Sequence, residues 1–208
     1  AFKELYKAGK IYEDKKALMY DTKFASPVSK NEVTMDNDAY QTVTDPSLYV
    51  KFKVEQAQLK AKKPLTFQGI EGDIFLLAWT TTPWTLPANM ALAVNAEMTY
   101  CLVAVNEEVL VIAKECLDRV LRDENNKPIE HYSILKEVSG TDLQHLRYQQ
   151  PIIEVYGGNT PKKSATYCVA VADFVSADSG TGIVHIAPAY GEDDYKLKQD
   201  FKRNALDI

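Results

Sequence analysis

Apolar positions along this chain fall into many short runs separated by polar, turn-forming stretches, a pattern that predicts strands more often than helices. Phe2, Leu5 and Tyr6 have helical spacing, predicting a short helix that stops at Gly9. A strand-like run at 16–20 is followed by a polar, turn-rich stretch at 21–47 with the composition of a connector. Val50, Phe52 and Val54 then alternate with Lys51, Lys53 and Glu55, the period of a half-buried strand. Apolar runs recur at 73–79 and 90–94, and those at 99–105 and 108–113 flank Asn106-Glu107 as a hairpin. Cys116, Leu117, Val120 and Leu121 return at helical spacing until Asp123-Glu124-Asn125-Asn126 ends them. Further strands are expected at 131–138, 152–156, 165–171 and 182–187, then a helix from Gly191 with Leu197 and Phe201 on one face.

Many short strands with few helices predict a mainly β, α+β fold: a closed or nearly closed mixed β-barrel with helical insertions. The expected division is a connecting segment over 1–46 and the barrel over 47–208.

At 208 residues, with 46% hydrophobic and 25% charged positions, the chain suits one large domain or one domain with appendages. No apolar run approaches the roughly 20 residues of a membrane span, and no signal-peptide pattern opens the chain. Cys101, Cys116 and Cys168 form an odd set without a C-x-x-C motif, which fits buried thiols in a reducing compartment. A cytoplasmic, monomeric protein without membrane association is expected. A net charge of −5 argues against a protein that coats long duplexes. Lysines nevertheless cluster at Lys60, Lys62 and Lys63, at Lys162 and Lys163, and at Lys196, Lys198 and Lys202 with Arg203. Such clusters can hold a few phosphates of a single-stranded end. Helical spacing from the second residue and an apolar end at Ala205-Leu206-Asp207-Ile208 suggest an excised piece of a larger protein.

Two windows carry candidate chemistry. The first is Trp79-Thr80-Thr81-Thr82-Pro83-Trp84-Thr85-Leu86-Pro87-Ala88-Asn89, too irregular for a helix and held on course by two prolines. A rigid loop of hydroxyls and flat apolar walls suits capture of a small polar ligand; it equally suits a turn that satisfies its own backbone. The second is Gly180-Thr181-Gly182-Ile183-Val184-His185-Ile186-Ala187-Pro188-Ala189-Tyr190-Gly191-Glu192-Asp193-Asp194-Tyr195. Here a strand exposes a histidine, a proline ends it, and a helix opens on three acids that complement its dipole. No metal site is expected, because Glu-Asp-Asp lacks the alternation of a calcium loop and neither His131 nor His145 has ligand spacing to His185.

Together the two windows resemble the editing domain, or connective peptide 1, inserted in the isoleucyl members of the class I aminoacyl-tRNA synthetases. Weaker likenesses are Phe2-Lys3-Glu4-Leu5-Tyr6-Lys7-Ala8-Gly9-Lys10-Ile11-Tyr12, and Ser139-Gly140-Thr141-Asp142-Leu143 with Leu146-Arg147-Tyr148. Valyl and leucyl relatives carry an arginine after the Thr-Thr pair, where this chain has Thr82. The His-Ile-Gly-His-like and Lys-Met-Ser-Lys-Ser-like aminoacylation signatures are absent from the chain.

The resemblance implies the barrel type of those editing domains and a proofreading hydrolase within an isoleucine–tRNA ligase. Its substrate would be tRNA(Ile) whose 3′ end carries valine, cleaved at the ester, with a contribution to clearing valyl-adenylate. The need is physical: one methylene in an apolar pocket discriminates weakly, so a second sieve removes the error, and isoleucine against valine is the standard illustration. By the Gly-x-x-Asp-Tyr pattern, Asp194 grips the substrate's α-ammonium, with Asp193 its confusable neighbour and general-base action an open alternative. Thr80, Thr81, Thr82 and Thr85 match the threonine-rich peptide that orients water and the ester carbonyl, since hydroxyls both donate and accept. Trp84 and His185 match positions lining the amino-acid pocket, and Asn89 a position important for editing. No Ser-His-Asp or Cys-His pattern offers a nucleophile, so a positioned water suffices for an activated ester. No cofactor is expected for editing, ATP and magnesium belonging only to the parent enzyme's synthetic site. The alternative is a tRNA 3′-end binding module that needs the full enzyme for hydrolysis.

Overall fold

The structure, a computed structural model, describes residues 1–13, 15–34, 39–55, 67–123, 125–152 and 167–203. By contact it divides into residues 1–43 and 44–208.

The first unit holds helix α1 (Phe2–Lys7) and a hairpin of β1 (Met19–Asp21) with β2 (Ser26–Val28). A short 3-10 turn at Lys30–Glu32 is closed by a reciprocal capping box between Ser29 and Glu32. None of its described residues is buried.

The second unit contains two sheets. The larger has the order β3 (Leu48–Lys53), β4 (Ile74–Thr80), β7 (Glu108–Ala113), β6 (Thr99–Val105), β8 (Ser133–Ser139). Its β4–β7 pair is parallel and its other pairs antiparallel, including the β6–β7 hairpin expected from the sequence. The smaller sheet sets β5 (Ala91–Val94) between antiparallel β10 (Val184–Ile186) and parallel β9 (Cys168–Val171). Short helices α2 (Leu117–Val120) and α3 (Gly140–Leu143) follow β7 and β8, and α4 (Glu192–Arg203) follows β10. Phe52 of β3 is fully buried while Lys51 is exposed, as the alternation requires, and Leu76, Leu92, Leu102, Ile112 and Tyr100 complete the centre of the core.

The barrel expectation needs correcting: among the described residues no sheet closes on itself. The sheets are stitched instead by isolated bridges from residues 145–149. Val54 pairs with Tyr148 on one side, and Arg147 pairs with Cys168 on the other. His145, just before these bridges, has a positive φ of +65°. On the opposite flank the Ala113 N–H donates to the Thr181 carbonyl at 2.9 Å. There Gly182 has φ +74°, and a Cβ on it would lie 2.3 Å from Cβ of Ala113, so only glycine allows this approach.

The expected strand at 16–20 forms over Met19–Asp21, and that at 165–171 over Cys168–Val171. From 153 onward the strand expected at 152–156 lies outside the described residues, as do Lys60, Lys62, Lys63, Lys162, Lys163 and the apolar end. The side chains of Phe201, Lys202 and Arg203 lie outside them as well. All three cysteines are buried, and none forms a disulfide.

Candidate active site

Strand β4 is an almost continuous apolar run, buried on both faces, and it delivers Thr80 at its end. The following residues are not the irregular loop expected from their sequence. They form a 3-10 helix over Pro83–Ala88, with Pro83 in its first turn. A fixed φ suits that first position, and a helix of this length tolerates the N–H missing at Pro87. The backbone bonds Thr85 N–H to Thr82 C=O and Asn89 N–H to Leu86 C=O, both 3.0 Å, span the turn.

This geometry draws three hydroxyls together. Thr80 Oγ1 accepts the Thr82 N–H at 3.1 Å and lies 3.3 Å from Thr82 Oγ1. Thr82 Oγ1 is 3.4 Å from Thr85 Oγ1, which donates to the Thr82 carbonyl at 2.8 Å. Thr80 and Thr85 are buried, whereas Thr81 and Thr82 are exposed. The cluster thus has a dry base and a wet face.

His185 reaches the same place from β10, where it pairs with Leu92 of β5. Its Nε2 lies 3.0 Å from Thr85 Oγ1 and its Nδ1 accepts from Asn89 Nδ2 at 2.8 Å. Burial lowers its pKa to about 4, against a hydrogen bond to Thr85 that raises it. The imidazole is therefore neutral at neutral pH.

Asp194 enters from the first turn of α4. Its Oδ2 accepts the Ala187 N–H at 2.8 Å. Desolvation pushes its pKa above the ordinary carboxylate value, the Ala187 N–H pulls it back, and Asp193 pushes it up again. The carboxylate lies flat against Gly191, where a Cβ would stand 2.9 Å from Asp194 Cγ. Asp193 points away: it is exposed and pairs with Lys196 at 3.2 Å. This separates the two acids that the sequence left adjacent.

One cleft of about 510 Å³ is lined by Thr80, Thr81, Thr82, Trp84, Thr85, His185 and Asp194. Seven of the eight expected site residues therefore meet. Trp84 is 63% exposed, which places its indole at the rim. Asn89, 2% exposed, is not among the lining residues and contacts the cleft through His185. Sequence reasoning missed Phe174 and Ser176, which line the cleft from a loop with no motif. Trp79 and Tyr190 also line it; both stood inside the two windows without being singled out. Among the described residues no group of three or more histidines, cysteines or carboxylates is placed to hold a metal ion. Among them, too, no helix is long and apolar enough to cross a membrane.

No protein-family model matches the chain. Relatives are nevertheless numerous and consistent. The chain is 39% identical over 194 residues to an isoleucine–tRNA ligase of Mycobacterium tuberculosis, which covers 93% of the chain and 17% of that protein. Isoleucine–tRNA ligase 2 of Bacillus cereus is 38% identical over 197 residues, covering 94% of the chain and 16% of the relative. Among solved structures, the P. knowlesi cytosolic leucyl-tRNA synthetase editing domain superposes with a TM-score of 0.56 at 18% identity, covering 76% of this chain and 64% of that one. The structure described as GlLeuRS-CP1 gives a TM-score of 0.59 at 20% identity, covering 77% and 63%. The chain is a relative of isoleucine–tRNA ligases with a synthetase editing-domain fold. It spans about a sixth of the length of those ligases. The editing-domain likeness accounts for the mainly β architecture with few helices, although among the described residues no sheet closes into the expected closed or nearly closed barrel.

Proposed function

We propose that this domain is a post-transfer editing hydrolase that cleaves the ester of valyl-tRNA(Ile), releasing valine and intact tRNA. The observation that carries the reading is the convergence of Asp194, the threonine cluster and His185 on one cleft. They come from three separate elements, β4 with its turn, β10 and α4. Relatedness to isoleucine–tRNA ligases supports tRNA(Ile) as the partner, and valine, one methylene smaller than isoleucine, is the amino acid such a ligase discriminates weakly.

In this reading the Asp194 carboxylate anchors the α-ammonium, held on course by the Ala187 N–H. The exposed hydroxyls of Thr81 and Thr82 stand where a water and the ester carbonyl are to be oriented. The ester is already activated, so positioning and polarisation supply the rate without a covalent intermediate. His185 stays neutral and serves as wall and hydrogen-bonding partner rather than base. Trp84 closes the rim against the larger side chain of isoleucine. Valyl-adenylate fits the same anchor through its own α-ammonium. No cofactor takes part in these steps; ATP and magnesium serve the synthetic chemistry of the larger ligase. The domain acts as a monomer in the cytoplasm, on a tRNA 3′ end presented by its parent enzyme. Incubation with valyl-tRNA(Ile) and isoleucyl-tRNA(Ile) tests the reading: selective release of valine supports it, and equal or absent release contradicts it.

A further inference from the structure

Behind the cleft lies a buried polar chain that neither window announces. Tyr148 is 1% exposed, and its ring packs edge-on against Phe52 and Tyr167. Its hydroxyl donates to Asn89 Oδ1 at 2.6 Å. Asn89 Nδ2 in turn donates to the Ala91 carbonyl at 2.9 Å and lies 2.8 Å from His185 Nδ1. The hydrogen bonds settle every direction. A phenol that donates requires the amide oxygen on its side, and a carbonyl requires the amide nitrogen on the other. The second amide proton then points at His185 Nδ1, which must be a bare acceptor. Nε2 carries the proton and donates to Thr85 Oγ1 at 3.0 Å. Thr85 Oγ1, already accepting, places its own proton on the Thr82 carbonyl at 2.8 Å.

We propose that Tyr148 is a positioning residue for the editing hydrolysis, holding His185 in its Nε2–H form through Asn89 and thereby fixing the hydroxyls of the threonine turn. This rests on the functional reading above. The opposite tautomer would present a bare Nε2 to Thr85, claim its proton and release the Thr82 carbonyl. The turn would lose the side-chain bond that backs its first backbone bond at the Thr82 carbonyl, and Thr82 would be held less firmly toward the cleft. Tyr148 is not among the residues lining the cleft, so its influence passes through Asn89 and His185. Gln150, two residues on, braces the same turn by donating to the Pro87 carbonyl at 3.1 Å. The stretch from 148 to 150 therefore supports the site from behind at two points.

The test uses the chain with 15N-labelled histidine, of which it has three. Ring-nitrogen NMR at neutral pH should show His185 with Nδ1 unprotonated and Nε2 protonated. Tyr148→Phe removes one oxygen, leaving Asn89 Oδ1 buried without its donor and the amide held by Ala91 alone. A minor Nδ1–H form should appear, and kcat for valyl-tRNA(Ile) should fall about tenfold with KM little changed. Asn89→Asp, a second variant of nearly unchanged volume, should turn the ring to Nδ1–H and abolish hydrolysis. A wild-type ring protonated at Nδ1 overturns the proposal, as does a Tyr148→Phe protein that keeps the wild-type kcat. Failure of the functional reading shows separately, as a wild-type chain that releases no valine, because the tautomer is read without substrate.

Discussion

Asp194 Oδ2 accepts the backbone N–H of Ala187 at 2.8 Å, tying the first turn of α4 to the residue just after β10. That single bond decides where the carboxylate sits, and it needs only an acceptor. Asp194→Asn keeps the acceptor and removes the charge. The carboxyl's pKa is raised on folding, so it contributes stability in acid and loses it as pH rises through the folded value. At neutral pH its ionised form is a cost of folding. Asp194→Asn should therefore melt no lower than wild type at about pH 7 while losing hydrolysis, as thermal melts beside deacylation assays would show. A clear fall in Tm would contradict this.

Gly191 provides the bed on which the same carboxylate lies. In Gly191→Ala the new Cβ would stand 2.9 Å from Asp194 Cγ and 3.0 Å from Oδ2. The obstructed atoms are the end of a short side chain, so the carboxylate swings aside and the fold survives. The expected result is a Tm within about 2 °C of wild type, since the change costs little stability, with kcat/KM for valyl-tRNA(Ile) reduced at least about tenfold. Unchanged kinetics would remove Asp194's placement from the mechanism.

His185 gives the opposite pH slope. Its folded pKa of about 4 lies below the ordinary histidine value, so its contribution is full above that value and is lost as pH falls toward the folded one. Stability should drop by about 3 kcal/mol between roughly pH 6.5 and 4 on this account. Denaturant melts across the range would measure it. His185→Gln should flatten this dependence, and a slope unchanged in the variant would assign it elsewhere.

Trp84 tests the sieve rather than the chemistry. Its indole is mostly exposed at the rim, so Trp84→Ala leaves the core untouched. Cleavage of isoleucyl-tRNA(Ile) should rise by about tenfold, the scale of a lost apolar contact. Selectivity equal to wild type would show that the indole is no wall.

Much of this site was legible in the residues themselves. Thr80 and His185 stand out because hydroxyls and an imidazole follow buried apolar runs, and Asp194 because acids open a helix. What the sequence hid was pairing across distance. Asn89 and His185 are 96 positions apart and Tyr148 and Asn89 are 59 apart, and no local period records such contacts. The barrel expectation fails for the same reason among the described residues: strand content predicts sheets, but closure depends on long-range pairing, here reduced to the single bridges Val54–Tyr148 and Arg147–Cys168. The 3-10 turn was missed because two prolines in six residues read as a loop, although a 3-10 helix this short tolerates both.

Asp194 and the threonine cluster are proposed to form one hydrolytic site for a mischarged isoleucine tRNA. Single-turnover deacylation of valyl-tRNA(Ile) and isoleucyl-tRNA(Ile), by the wild-type chain and by Asp194→Ala, measures it most directly. The wild type alone should release valine, with isoleucyl-tRNA(Ile) left intact by both. Valine released equally by wild type and Asp194→Ala would contradict it.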